Sequence, residues 1–272
     1  MSLSVPFIGQ AMPRMRADLP VVRVSNDAWG RAQKRFRRIH KLGCGAFGCA
    51  YSAQVGRQKT IVKVATGAAR LGVSLKTAFE TLHREIVVLG KLQKFPFVPR
   101  LIEVGPDYFV QEDVGGEAAD RILIRRGLEA REVLSVAIAV GIMASQIHRE
   151  GIAHKDLHVG NILLTPHGVV IIDFGLAVER KESEEIWKQG LMADFHDVIF
   201  LVILATDAKD LPPGVKSILV SVIEKFQKRA VEGAVDENSC GELSKELFFI
   251  AAQIGARATR GKSMRARKVF AI

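Results

Sequence analysis

Apolar and polar residues alternate along Ile39–Ala65, with a glycine-rich interruption at Gly43–Gly48 and a second break further on. This pattern predicts strand, glycine turn, strand, turn, strand. Ser74 then reads as a helix N-cap, and Leu75, Ala78, Leu82, Ile86 and Leu89 follow at helical spacing. Short strands are expected at Leu101–Val104 and Tyr108–Glu112, and Val114-Gly115-Gly116 reads as a flexible joint. Beyond it the pattern turns helical, with helices near Ala118–Arg126 and Ala130–Arg149. Two short strands, Ile162–Leu164 and Val169–Ile172, interrupt them before helices resume after Glu184. The apolar runs Val133–Ser145 and Val198–Ala205 are too short to span a bilayer and read as buried helices. Strands followed by helices predict an α+β fold. The expected divisions are an extension over 1–30, a β-rich lobe over 31–113, a helical lobe over 114–256 and a basic tail over 257–272.

Length and composition narrow the picture a little. A chain of 272 residues can bury a sizeable core, as one two-lobed unit or two small domains. The formal net charge of +10 suggests an acidic partner: a nucleotide, a nucleic acid, an anionic membrane or an acidic protein face. Much of the excess sits at Arg31–Lys41 and Arg257–Lys268. The bland reading of both is a solvated face or tail. Three cysteines are too few for a disulfide framework, so a reducing compartment, the cytoplasm, is expected. Cys44 and Cys49, at the glycine loop, read as small strand-edge residues in preference to a redox switch. Met1–Pro20 shows no secretory-signal pattern. The compactness would also suit a secreted effector or a viral protein.

Candidate chemistry falls in two groups. Gly43-Cys44-Gly45-Ala46-Phe47-Gly48 is a G-x-G-x-x-G that continues into a strand, not a helix. A strand–glycine loop–strand can close over phosphates as a lid. Lys63 follows inside the apolar run Ile61-Val62-Lys63-Val64, where a buried ammonium needs a partner. At 100° per residue Glu85 falls between Leu82 and Leu89 on the packed face of the next helix, while Glu80 falls on the far side. Glu85 is therefore the expected partner. The second group is Asp156, Asn161 and Asp173. Such oxygen donors suit magnesium, and Asp156 can orient a hydroxyl and accept its proton. Gly175 is expected to let the backbone turn sharply after Asp173. A rival transition-metal site at His154, Asp156 and His158 lacks further ligands. The role of His158, substrate-side or loop-packing, stays open.

From the glycine loop to the helix carrying Asp197, the chain resembles the protein-kinase-like superfamily. The resemblance implies a two-lobed α+β fold, and ATP and Mg2+ as substrate and cofactor. It assigns Gly43, Gly45 and Gly48 to the phosphate loop, and Lys63 and Glu85 to the family's ion pair. Gln111 becomes the gatekeeper, with the backbone of Glu112 and Val114 on the adenine edge. Ala50 and Ile61 form the ceiling of the adenine pocket and Leu163 its floor. Asp156 is the implied catalytic aspartate, Asn161 and Asp173 are the metal ligands, and Asp197 is the buried anchor of the catalytic loop.

The chain also departs from the family. Little of it separates Asp173 from Asp197, and no Ala-Pro-Glu follows. Lys155 replaces the usual arginine, and His158 the usual lysine of serine/threonine kinases. His-x-Asp-Leu-His-x-Gly-Asn also resembles small-molecule kinases of the aminoglycoside and choline type. The first reading is an atypical protein serine/threonine kinase acting on a protein substrate. The second is a small-molecule kinase, and the third a nucleotide-binding pseudokinase scaffold. Control through activation-loop phosphorylation is not expected.

Overall fold

A computed structural model describes residue 30 and residues 33–66, 72–208 and 210–259. The proposed extension up to residue 29 and the basic tail from residue 260 lie outside these residues. A single 3-10 turn, Gln33–Arg35, leads into β1 (Arg37–Cys44), so the basic stretch before the glycine loop is strand from Arg37 onwards. Strands β2 (Gly48–Val55), β3 (Gln58–Ala65), β4 (Leu101–Val104) and β5 (Tyr108–Glu112) complete an antiparallel sheet in the order β1-β2-β3-β5-β4. Alternation explains the use of its two faces. Val62 and Val64 of β3 pack with Phe36, Ala53, Tyr108 and Val110 in a small core on one side. The Tyr108 hydroxyl also accepts from Arg35 at 2.7 Å and donates to Glu103 at 2.7 Å, closing that side.

Helix α1 (Leu75–Leu92) covers the opposite face. The Ser74 hydroxyl caps it by accepting from the Thr77 N–H at 3.1 Å. Ala78, Leu82, Val88, Leu89 and Leu92 are buried in one cluster with Phe109 of β5. Glu85 shares this face and is itself buried.

The second lobe is mainly helical. After β6 (Glu117–Ala118) come α2 (Ala119–Arg126) and α3 (Ala130–Arg149). The site-bearing stretch follows, with β7 (Ile152–Ala153), β8 (Ile162–Thr165), β9 (Gly168–Ile171) and β10 (Val178–Glu179). Helices α4 (Glu184–Thr206), α5 (Pro213–Val231) and α6 (Ser239–Thr259) complete the lobe. By length and composition α3 and α4 could each cross a membrane. Here both lie in the core, with more than half of each apolar window buried. Two small pairings position the site: β8 and β9 form a hairpin beside β6, and β10 pairs antiparallel with β7. The hairpin places Asn161 just before β8 and Asp173 just after β9, and the Ile172 N–H donates to the Asn161 carbonyl at 3.0 Å.

Candidate active site

The glycine loop is the tip of the β1–β2 hairpin. Gly43 pairs with Ala50 and Cys44 with Cys49. The Gly45 N–H donates to the Gly48 carbonyl at 2.8 Å. A Cβ on Gly48 would collide with the Val64 carbonyl, so only glycine lets β2 lie this close to β3. One expectation needs correcting here. Cys44 and Cys49 are not independent strand-edge residues: they are joined by a disulfide, with Cα atoms 4.0 Å apart. Their direct opposition across the ladder brings the two sulfurs together. The cysteines therefore no longer argue for a reducing compartment. Cys240 is the free, buried thiol among the described residues.

Behind the loop, Lys63 Nζ donates to Glu85 Oε1 at 2.6 Å and lies 3.1 Å from Asp173 Oδ1. The structure thus brings one cation together with two carboxylates from different lobes. Burial opposes the charge on Lys63, but Glu85 and then Asp173 more than offset it and push its pKa up to about 12. Glu85 is buried beside a second carboxylate. Burial raises it to about 7 against the pull of Lys63, and Asp173 adds repulsion. Asp173, half-exposed, is held below the usual carboxylate range chiefly by Lys63. The sharp turn falls on Asp173 itself, at φ 67°, and not on Gly175, whose φ is not positive. Gly175 is needed for another reason: a Cβ there would press on the Thr81 methyl of α1 at 2.9 Å.

The loop that carries Asp156 and Asn161, expected to be the catalytic one, runs from β7 to β8. Asn161 Nδ2 donates to the Asp156 carbonyl at 2.8 Å and to its carboxylate at 3.0 Å. That leaves the Asn161 amide oxygen available as a cation ligand. His158 Nδ1 accepts from the Gly160 N–H at 2.9 Å, and its Nε2 lies 3.7 Å from Asp156 Oδ1. His154 is buried with both nitrogens engaged, Nε2 at 3.0 Å from the Ile172 carbonyl and Nδ1 accepting from the Asp156 N–H at 3.3 Å. Among the described residues no group of three or more His, Cys, Asp or Glu side chains is placed to hold a metal. The rival site at His154, Asp156 and His158 therefore finds no support. Oxygen donors at Asp173 and Asn161 do suit a magnesium ion, which prefers them.

The anchor of this loop is Asp194, not Asp197. Fully buried in α4, Asp194 accepts from the backbone N–H of His154 and of Lys155, each at 2.7 Å, and pairs with His148 Nε2 at 2.9 Å. These bonds hold Lys155 at φ 66°. Asp194 and His148 are the residues the sequence reading missed. Asp197 sits one turn further on and takes a backbone hydrogen bond from Leu157. Burial, then repulsion from Asp194, raises its pKa to about 6 from 3.8. A raised carboxyl pKa favours the protonated form in the folded state. The associated stability is present below the unfolded value and is lost as pH rises towards about 6. Asp197→Asn should therefore raise the melting temperature at neutral pH, by roughly 1–2 kcal/mol of stability after allowing for partial exposure. The gain should fade as pH falls towards about 4. Thermal melts of both proteins across that range check this; a gain independent of pH would contradict it.

Of the residues expected around a nucleotide base, Ala50 lies opposite Lys63 on β2, and Ile61 lies opposite Gln111, which is buried between β3 and β4. Glu112 closes β5 with its carboxylate 3.0 Å from Arg100. Val114 follows in the connection, and Leu163 of β8 lies opposite Ala118. A cavity of about 420 Å³ opens next to this connection, lined by Glu112, Val114, Phe95, Thr165 and His167 among others. It includes none of Lys63, Asp156 or Asp173, so it is separate from the charged cleft.

Comparisons with known proteins agree with this architecture. The family described as protein kinase domain matches residues 36–195, more than half of the chain. The chain is 30% identical to the serine/threonine-protein kinase Tao of Drosophila melanogaster, over 53% of this chain and 14% of that protein. It is 28% identical to the serine/threonine-protein kinase PknK of Mycobacterium tuberculosis, over 52% and 13% respectively. With the WARTS homolog of Caenorhabditis elegans, also a serine/threonine-protein kinase, identity is 26% over 70% and 21%. The chain thus spans no more than about a fifth of the length of these relatives. Sheet, cleft and catalytic loop within the matched span make this chain a member of the protein kinase domain family.

Proposed function

We propose that the chain is a serine/threonine protein kinase that transfers the γ-phosphoryl group of ATP to a protein hydroxyl. The observation that carries this reading is the assembled cleft, with Lys63 bound to Glu85 and facing Asp173 while Asp156 and Asn161 are hydrogen-bonded in the adjoining loop. Lys63, positioned by Glu85, presents a fixed positive charge to the phosphates. The glycine loop offers backbone N–H groups from above. Asp173 and Asn161 would hold Mg2+, which when bound neutralises the phosphate charge. Asp156 is held by Asn161 but remains partly exposed, so its carboxylate can orient the acceptor hydroxyl and receive its proton as the oxygen attacks phosphorus. The bond from the γ-phosphorus to the bridging oxygen breaks, and ADP leaves. Buried Asp194 keeps the loop in place throughout. Exposure of Asp156 and His158 on the open side of the loop favours an extended polypeptide acceptor over an enclosed small molecule.

The test is Asp156→Asn assayed with ATP and a generic serine/threonine substrate protein. Turnover should fall by ~10²–10⁴-fold while the KM for ATP changes little. If ATP affinity collapsed and turnover survived, Asp156 would not be the proton acceptor.

A further inference from the structure

The Cys44–Cys49 pair plays no part in the chemistry above, yet it sits at the base of the loop that covers the phosphates. The bridge closes a small ring around Gly45-Ala46-Phe47-Gly48. Cross-linking so short a stretch constrains the unfolded chain little, so the bridge is a poor staple for the fold. β1 and β2 are in any case held by their own ladder from Arg37–Gln54 onwards.

Three features make the pair reactive. β1 is the edge of the sheet, and Cys44 is exposed on it. Cys49 is half-buried, with its sulfur 3.5 Å from the Thr66 hydroxyl. Lys41 stands three residues before Cys44 on the same strand, with Arg37 and Arg38 further back, and positive charge favours thiolates and draws in anionic thiols. Cys240 provides the contrast: it is almost completely buried, and burial pushes its thiol well up.

We propose that Cys44 and Cys49 form a reversible thiol–disulfide exchange site for glutathione-type low-molecular-weight thiols, and that its state sets how the glycine loop receives a nucleotide. In the reducing direction an external thiolate attacks the exposed Cys44 sulfur, and the Cys44–Cys49 bond breaks. Cys49 leaves as a thiolate beside the Thr66 hydroxyl, which donates to it. A second external thiolate attacks the external sulfur of the mixed disulfide, releasing Cys44. Two protons from the incoming thiols return to the two cysteines. The net change is two external thiols oxidised to one disulfide and one protein disulfide reduced to two thiols; the reverse reaction closes the bridge.

The bridged loop has its Gly45 N–H engaged with the Gly48 carbonyl. It is also tied across its base, which limits how far its amides can rearrange around phosphates. Reduction releases that constraint. The oxidised protein should therefore bind nucleotide more weakly than the reduced one. This consequence rests on the kinase reading; the exchange chemistry does not.

The full chain is equilibrated in glutathione buffers of graded reduced-to-oxidised ratio, trapped with N-ethylmaleimide and mapped by peptide mass. Affinity for ATP is measured in parallel on the fully reduced and fully oxidised protein. The expected result is reversible conversion between a bridged and a doubly alkylated Cys44–Cys49 peptide. ATP affinity should be about fivefold or more weaker in the bridged state, a modest coupling between sites. Cys49→Ser should lose that dependence on the buffer, and Cys44→Ser should do the same. A pair that never converts, equal ATP affinity in both states, or the same dependence in Cys49→Ser would each overturn the proposal. A chain that exchanged disulfides normally but bound no ATP in either state would defeat the kinase reading and, with it, the coupling; the mass map reports the exchange independently.

Discussion

Asp173→Asn should reduce phosphoryl transfer by at least about a hundredfold while leaving a folded protein. Asparagine is the right replacement because the backbone at this position has φ 67°, which asparagine tolerates and alanine does not. The amide keeps the shape of the carboxylate and can still accept from the Gly175 N–H. It loses the negative charge that faces Lys63 and would draw a cation to the phosphates. Lys63 keeps Glu85 at 2.6 Å, so the link between α1 and β3 survives. A small change in melting temperature beside a collapse in rate is the expected pair of results. A variant with more than about a tenth of the parent rate would remove Asp173 from the reaction.

Asp194→Ala should have the largest effect on stability. Three groups bond to this buried carboxylate, two of them backbone N–H groups of the catalytic loop. Removing it leaves those donors without partners in a place water does not reach, at a cost of roughly 3–5 kcal/mol. For a chain of this size that corresponds to a fall of roughly 10 °C in melting temperature. Asp197→Asn, one turn along the same helix, keeps an acceptor for the Leu157 N–H and should not destabilise at neutral pH, because the carboxylate is already disfavoured there. Calorimetry on the two variants separates the roles; equal losses would mean that Asp194 is not the anchor.

The contrast between these two aspartates shows where the sequence stopped being informative. Glu85 was legible because α1 has one apolar face, and a carboxylate inside that stripe stands out. Helix α4 is apolar on nearly all sides, so periodicity could not decide which of two carboxylates three residues apart pointed at the loop. The helical position of His148 carried a weak signal, a histidine among Ala144, Ser145 and Ile147, but nothing in the sequence named its partner. The lobes were legible because strands and helices are segregated along the chain. The cysteines were not, because their spacing of five residues becomes a contact only in the register that sets Cys44 opposite Cys49. The sequence points to Gly175 for the sharp turn, since glycine is the usual signal for such a backbone; the positive φ falls on Asp173, and Gly175 serves close packing instead.

The connection from the cleft to α4 also has a consequence for how such a protein would be governed in time. From Leu176 to Ser183 the chain goes almost directly into β10 and then into the helix. Ser183 is its only hydroxyl, and that hydroxyl already caps α4 by accepting from the Ile186 N–H at 3.2 Å. A molecular memory of past signalling needs a free segment that can be marked and later erased. This stretch has neither slack nor a spare place for the mark. A phosphate-written record of past signalling therefore has no place on this stretch, and a reversible mark would have to sit elsewhere, as the Cys44–Cys49 bridge at the glycine loop would.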